Sequence, residues 1–103
     1  MQFLVLAYDG KDEEALQRRN AVRQDHLALA EKMAASGQQL YAAALLNEAG
    51  NMMGSAIICD FSSREELDAW LAREPYVTGN VWKQIEVTPC RVGPAFMQPK
   101  QDK

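Results

Sequence analysis

Residues 38–47, QQLYAAALLN, decide the fold of this 103-residue chain. Alanine and leucine favour a helix by intrinsic propensity alone. The flanks argue the other way. Gly37 stands directly in front, and the loop NEAGN follows, so the segment is short and bounded by turn residues, as strands are. We read it as a strand. Residues 52–61, MMGSAIICDF, form a clearer one, with Ile57, Ile58 and Phe61. The short connection around Gly50-Asn51 predicts that the two make a hairpin.

Outward from that hairpin, QFLVLAY (2–8) is a short apolar run closed by the turn signal Asp9-Gly10. KDEE then places acids where a helix begins. A helix is predicted from about Glu13 to Ser36, with Gly37 as its cap. SSREELDAWLA opens on a capping signal, Ser62 with Glu65 or Ser63 with Glu66. Leu67, Trp70 and Leu71 follow at amphipathic-helix spacing. This helix must stop before Pro75, because the residue ahead of a proline is driven out of the α region. WKQIEVTP (82–89) alternates as a strand. The order is β-α-β-β-α-β, an α+β, ferredoxin-like arrangement of one antiparallel sheet with both helices on one face. Residues 1–90 are expected to form a single domain. Residues 91–103, with Pro94 and Pro99, are expected to form a C-terminal tail, flexible or crossing to a partner.

The helices leave the other sheet face open, yet the first strand is apolar on both sides. Phe3, Val5 and Ala7 alternate with Leu4, Leu6 and Tyr8. Segment 38–47 behaves similarly, with Leu40, Ala42, Ala44 and Leu46 against Tyr41, Ala43 and Leu45. A half-solvated sheet would alternate with polar residues instead. The expectation is a homodimer through this sheet face, two sheets packed about a twofold axis.

Net charge is −3, with no long basic run, which argues against nucleic acid or an anionic membrane as the main partner. The apolar runs are too short to span a bilayer. The N-terminus shows no basic n-region or small-residue cleavage site, so no signal peptide is expected and the location reads as cytoplasmic. Cys59 and Cys90 form no CxxC pair and, with one histidine, cannot supply four zinc ligands without carboxylates. They read as buried or edge thiols, and neither a metal nor another cofactor is expected.

His26, the only histidine, lies on the core side of the first helix. At about 100° per residue, Val22, Leu29, Ala30 and Met33 fall within roughly 60° of it. Arg19 and Arg23 share that side. Unpartnered buried guanidinium groups are costly, so this end of the helix should border a solvent-reachable polar pocket or an interface with acids. Glu74 precedes Pro75 and so leaves the second helix with an extended backbone. From that corner its carboxylate could approach the middle of the first helix. Each residue has a plain structural reading: a satisfied core histidine, snorkelling arginines, a solvated helix-end acid, and Tyr76 as a wall.

RQDHLALAEKMAASGQQLYAAALL together with AREPYVTGNVWKQIEVTPCRV resembles the YciI-like (YCII-related) family, and the likeness covers nearly the whole chain. It rests on the FLVLAYDG strand, an R-x-x-H-L helix, a glycine followed by a strand, and an acid-Pro-aromatic motif before the last strand. The resemblance implies a dimeric ferredoxin-like α+β barrel. It also implies a pocket with a histidine and an acid as its catalytic groups. A few members look like lyases that eliminate halide from chlorinated hydroxylated aromatics. Carried over, His26 and Arg23 match the family's histidine and arginine, and Pro75 and Tyr76 match its proline and aromatic. Glu74 departs from the usual aspartate, and its extra methylene moves the charge by about 1.5 Å, so either the backbone compensates or the pair is looser here.

A carboxylate accepting from one imidazole nitrogen fixes the tautomer and leaves the other nitrogen free for proton transfer. The expected catalytic groups are therefore His26 and Glu74. Arg19, Arg23 and Tyr76 are the expected substrate-binding residues, and no metal is involved. The function read from these residues is acid–base chemistry of lyase or isomerase type on a small anionic or phenolic substrate. The alternative is a non-catalytic small-ligand-binding or interaction module of the same dimeric fold. A purely structural dimer is a third reading, in which His26 and Glu74 simply satisfy each other.

Overall fold

The computed structural model describes residues 1–97. Four strands, β1 (Gln2–Asp9), β2 (Gln39–Leu46), β3 (Met52–Asp60) and β4 (Trp82–Cys90), form one sheet in the order β2-β3-β1-β4. Every neighbouring pair is antiparallel. Helix α1 (Ala15–Ala35) follows β1, and α2 (Arg64–Arg73) follows β3. This is the expected α+β, ferredoxin-like order, and the segment 38–47 is a strand.

Local chemistry sets the boundaries. At the C-terminus of α1, Gly37 adopts φ +83°, and its N–H donates to the Ala34 carbonyl at 3.2 Å. The next N–H, of Gln38, reaches the Met33 carbonyl at 2.9 Å. This is a Schellman closure, which needs a left-handed residue at that position. At the start of α2, of the two capping candidates, Ser63 is the cap: its Oγ accepts from the Glu66 N–H at 3.2 Å. No periodicity in the sequence marks α3 (Pro75–Thr78), a single helical turn that begins directly after Glu74.

The core lies between the helices and the sheet. Phe3, Val5, Ile57 and Cys59 face Met33, Leu67, Trp70 and Tyr76, all almost fully buried. Burying side chains such as Leu67 or Val5 contributes about 1.5–3 kcal/mol each. Burial also pushes the Cys59 thiol up to about 12, so it is a packing group and not a nucleophile. Cys90 is half-buried and both thiols are free.

The open sheet face carries Leu4, Leu6, Tyr41 and Ile58, and Tyr41 is 69% exposed. The register of β2 has one surprise. Gln39 opposes Cys59 while Tyr41 opposes Ile58, so Leu40 is an extra, bulged residue. Leu40 therefore lines a groove on the open face beside Tyr41, where plain alternation would have grouped it with Ala42. Beyond β4, the Val92 N–H donates to the Gln2 side chain at 2.7 Å, and Pro94–Phe96 makes a 3₁₀ turn. The rest of the expected tail, 98–103, lies outside the described residues. No helix among the described residues is long and apolar enough to cross a membrane.

Candidate active site

The site begins at the Glu74-Pro75 corner. Glu74 ends α2 with extended angles, φ −66° and ψ 126°, as a residue before proline should. It then serves as N-cap of α3, its Oε2 accepting from the Tyr76 N–H at 3.0 Å. Four residues back on α2, the Trp70 Nε1–H donates to Oε1 at 3.2 Å. Gly79 lets this corner approach α1: a Cβ there would stand 3.1 Å from both Val22 methyl groups and 2.7 Å from the Pro75 carbonyl.

That approach brings Glu74 to His26. Nδ1 of the imidazole lies 2.6 Å from Glu74 Oε2. The carboxylate is 1% exposed and the histidine side chain 11%. The longer side chain does not loosen the pair, because the backbone corner is close enough to absorb the extra methylene. Glu74 already accepts two N–H bonds, which suits an ionised carboxylate. The hydrogen of the third contact then belongs to Nδ1, so in the neutral ring Nε2 is the nitrogen left with a lone pair.

Tyr76 forms the wall behind the imidazole. The two rings stack with centroids 3.9 Å apart and planes 15° from parallel. Tyr76 is almost fully buried, and burial raises its hydroxyl above the ordinary value, opposed by the charges of Arg19 and Arg23. It is a neutral phenol near neutral pH.

The two arginines of the core-side stripe part ways. Arg19 is 3% exposed, and its Nη1 donates to both carboxylate oxygens of Asp9 at 3.0 Å. Its Nη2 donates to Ser55 Oγ at 3.1 Å. The guanidinium also stands 4.5 Å from the centroid of the Tyr76 ring. Burial raises the Asp9 carboxyl, opposed by the bond and charge of Arg19. Arg23, by contrast, is exposed and makes no ion pair among the described residues. His26, Arg19, Arg23 and Tyr76 all line one cavity of about 220 Å³, which runs between α1 and β2 along Ala42 and Ala44.

The structure thus brings together all five residues expected at the site. Asp9, Ser55 and Trp70 were not anticipated. In the sequence Asp9 reads as a turn residue, although it continues the Phe3-Val5-Ala7 face. Trp70 lies one helical turn before Glu74, a spacing visible in the sequence. Only strand register reveals Ser55.

A model of the YCII-related domain matches residues 1–91. The chain belongs to the YCII-related family. Protein YciI of Escherichia coli is 32% identical over 97 residues, covering 88% of this chain and 97% of that protein. An uncharacterized protein of Haemophilus influenzae is 30% identical over 98 residues, with the same coverage. Among solved structures, this YCII-related chain is similar to the 5-chloro-2-hydroxyhydroquinone dehydrochlorinase of Burkholderia phenoliruptrix, solved in complex with 2,5-dihydroxybenzoquinone. The TM-score is 0.78 at 22% identity, over 92% of this chain and 98% of the other. At that identity the likeness speaks for the shared fold.

Proposed function

We propose that the protein is a small-molecule enzyme of lyase or isomerase type that uses His26 as its acid–base group. The observation that carries this reading is the 2.6 Å contact between Nδ1 and a buried Glu74. The carboxylate holds one ring nitrogen as a donor and the ring itself against Tyr76. Nε2 is then free to take a proton from a substrate in the cavity and to return it elsewhere. In an isomerisation the proton comes back at another atom. In an elimination the leaving group departs with its electron pair and His26 keeps the proton until solvent removes it. Arg23, exposed and unpaired, would meet an anionic or phenolate oxygen. Arg19 would act through Tyr76, since its terminal nitrogens are engaged by Asp9 and Ser55. The dehydrochlorinase of similar fold supports a hydroxylated aromatic as the first substrate class to try.

His26→Ala should lower turnover of chlorinated hydroxyhydroquinones by about 10²- to 10⁴-fold, the usual contribution of a positioned acid–base group, with the fold intact by circular dichroism. Equal rates would remove His26 from the mechanism.

One observation favours the alternative, a non-catalytic ligand-binding module: Glu74 also caps α3 and anchors Trp70, so the pair would persist without any reaction. Ligand-dependent shifts of the His26 resonances without turnover would decide for it. In either case we propose that the protein works as a homodimer through the open sheet face, on the strength of exposed Tyr41 and the apolar groove it lines. Light scattering should give twice the 11.5 kDa chain mass, and Tyr41→Lys should reduce it to one. Two free thiols support a reducing, cytoplasmic setting.

A further inference from the structure

The cavity beside His26 owes its room to small residues at two strand positions. Ala42 opposes Ile57 and Ala44 opposes Ser55, so both belong to the sheet face that the helices cover. On β1 and β3 that face holds Phe3, Val5 and Ile57, each at most 2% exposed. On β2 the same face stays open, and Ala42 and Ala44 are exposed. A methyl group is too short to reach α1, where Ala30 contributes only another methyl to the lining. A leucine at either strand position would extend into the space that the imidazole borders.

The size of that space selects its occupant. About 220 Å³ exceeds the roughly 150 Å³ that accepts one benzene ring. It falls short of the roughly 300–1,000 Å³ of sites for larger ligands. The lining combines charged and protic groups, Arg19, Arg23, His26 and Ser55, with apolar ones, Leu27, Ala30 and Met52. We infer that Ala42 and Ala44, facing Ala30, are specificity-determining residues that limit the ligand to a single six-membered ring carrying an ionised oxygen. This inference rests on the reading of the His26 cavity as the site for a small anionic or phenolic ligand.

The test uses two probes, salicylate and the matching two-ring hydroxynaphthoate, with binding followed through the His26 resonances of the full chain. Salicylate should bind and the hydroxynaphthoate should bind about tenfold more weakly or worse, the scale of a misfit of a methylene or more in a hydrophobic pocket. Ala44→Leu and Ala42→Leu should each weaken salicylate by about tenfold or more; thermal melts establish that both variants fold. Leu27→Ala, which truncates a half-exposed side chain of the lining, should recover binding of the two-ring probe. If the two probes bind wild type equally, or if the leucine variants hold salicylate as tightly as wild type, the size inference is overturned while the acid–base reading stands. If neither probe perturbs His26 at millimolar concentration, the ligand site itself is lost and both fail.

Discussion

Two buried pairs of opposite character sit a few residues apart in the layer between helix α1 and the sheet, and they end differently. Arg19 and Asp9 are each 3% exposed on their side chains and close on each other, with Ser55 taking a further donor. His26 and Glu74 are also paired, but the histidine keeps 11% exposure and a ring nitrogen with no partner in the hydrogen bonds described. The first pair has both terminal guanidinium nitrogens engaged, and only the buried Nε goes without a partner. The second has a ring nitrogen left over, and its imidazole lines a cavity. A buried ion pair alone says little about function. What matters is whether one member retains an unused donor or acceptor at a space a ligand can enter.

The sharpest way to break that contrast is to remove Arg19. Arg19→Met leaves Asp9 buried without its cation, and loss of one partner of a buried pair costs about 3–5 kcal/mol. Chemical denaturation should show this, and Arg19→Met with Asp9→Leu together should recover much of it. A double variant as unstable as the single one would mean that Arg19 acts by packing on Tyr76 instead. Glu74→Gln should cost less, about 1–3 kcal/mol, because the amide nitrogen faces donors that the carboxylate had satisfied. Its signature is a loss of turnover larger than the loss of stability implies, since the imidazole also loses its tautomer lock.

Acidification separates the pairs by sign. Burial raises the folded-state carboxyl of Asp9 above 3.8, against Arg19's opposition. As pH falls through that raised value, the folded chain takes up a proton before the unfolded chain does. Asp9 therefore becomes less destabilising as pH falls, until the unfolded value is also passed. Arg18, next to Arg19 in sequence, holds Asp12 on the surface at 2.7 and 2.8 Å and keeps its carboxyl well below the ordinary range, chiefly through those bonds. Asp12 contributes stability above 3.8 that is lost as pH falls toward the lowered value. Stability measured from pH 7 to pH 3 should therefore drift toward wild type relative to Asp9→Asn and away from wild type relative to Asp12→Asn. At neutral pH and physiological salt, Asp12→Asn should lower the melting temperature only slightly, because the pair is exposed and screened, and the Asp12 drift should be correspondingly small.

Arg18 and Arg19 also show what the sequence could reveal. Helical spacing placed Arg19 on the buried stripe and implied a polar pocket or an interface with acids; Arg19 lines a cavity and pairs with an acid of its own chain. It could not say which acid, because Asp9 reaches Arg19 from a strand and the connection runs through tertiary packing. The order of elements was legible from apolar runs, turn residues and the Ser63 cap. The bulge at Leu40 was not, because an extra residue in a strand leaves no mark when its neighbours are alanine and leucine. The Glu74 corner was legible from Pro75. The single turn α3 was not, since four residues carry too little periodicity, yet that turn presents the Tyr76 N–H to Glu74 and the Tyr76 ring to His26. The cavity was hidden for a related reason: a run of alanines on an edge strand reads as weak packing until the register shows two of them beside an imidazole.

The most direct test of the account is nitrogen NMR of the single imidazole. With Glu74 accepting from it, Nδ1 should carry the proton in the neutral ring, and Nε2 should be the nitrogen whose resonance moves when 2,5-dihydroxybenzoquinone is added. A neutral ring protonated at Nε2, or an Nε2 resonance indifferent to every aromatic ligand offered, would contradict it.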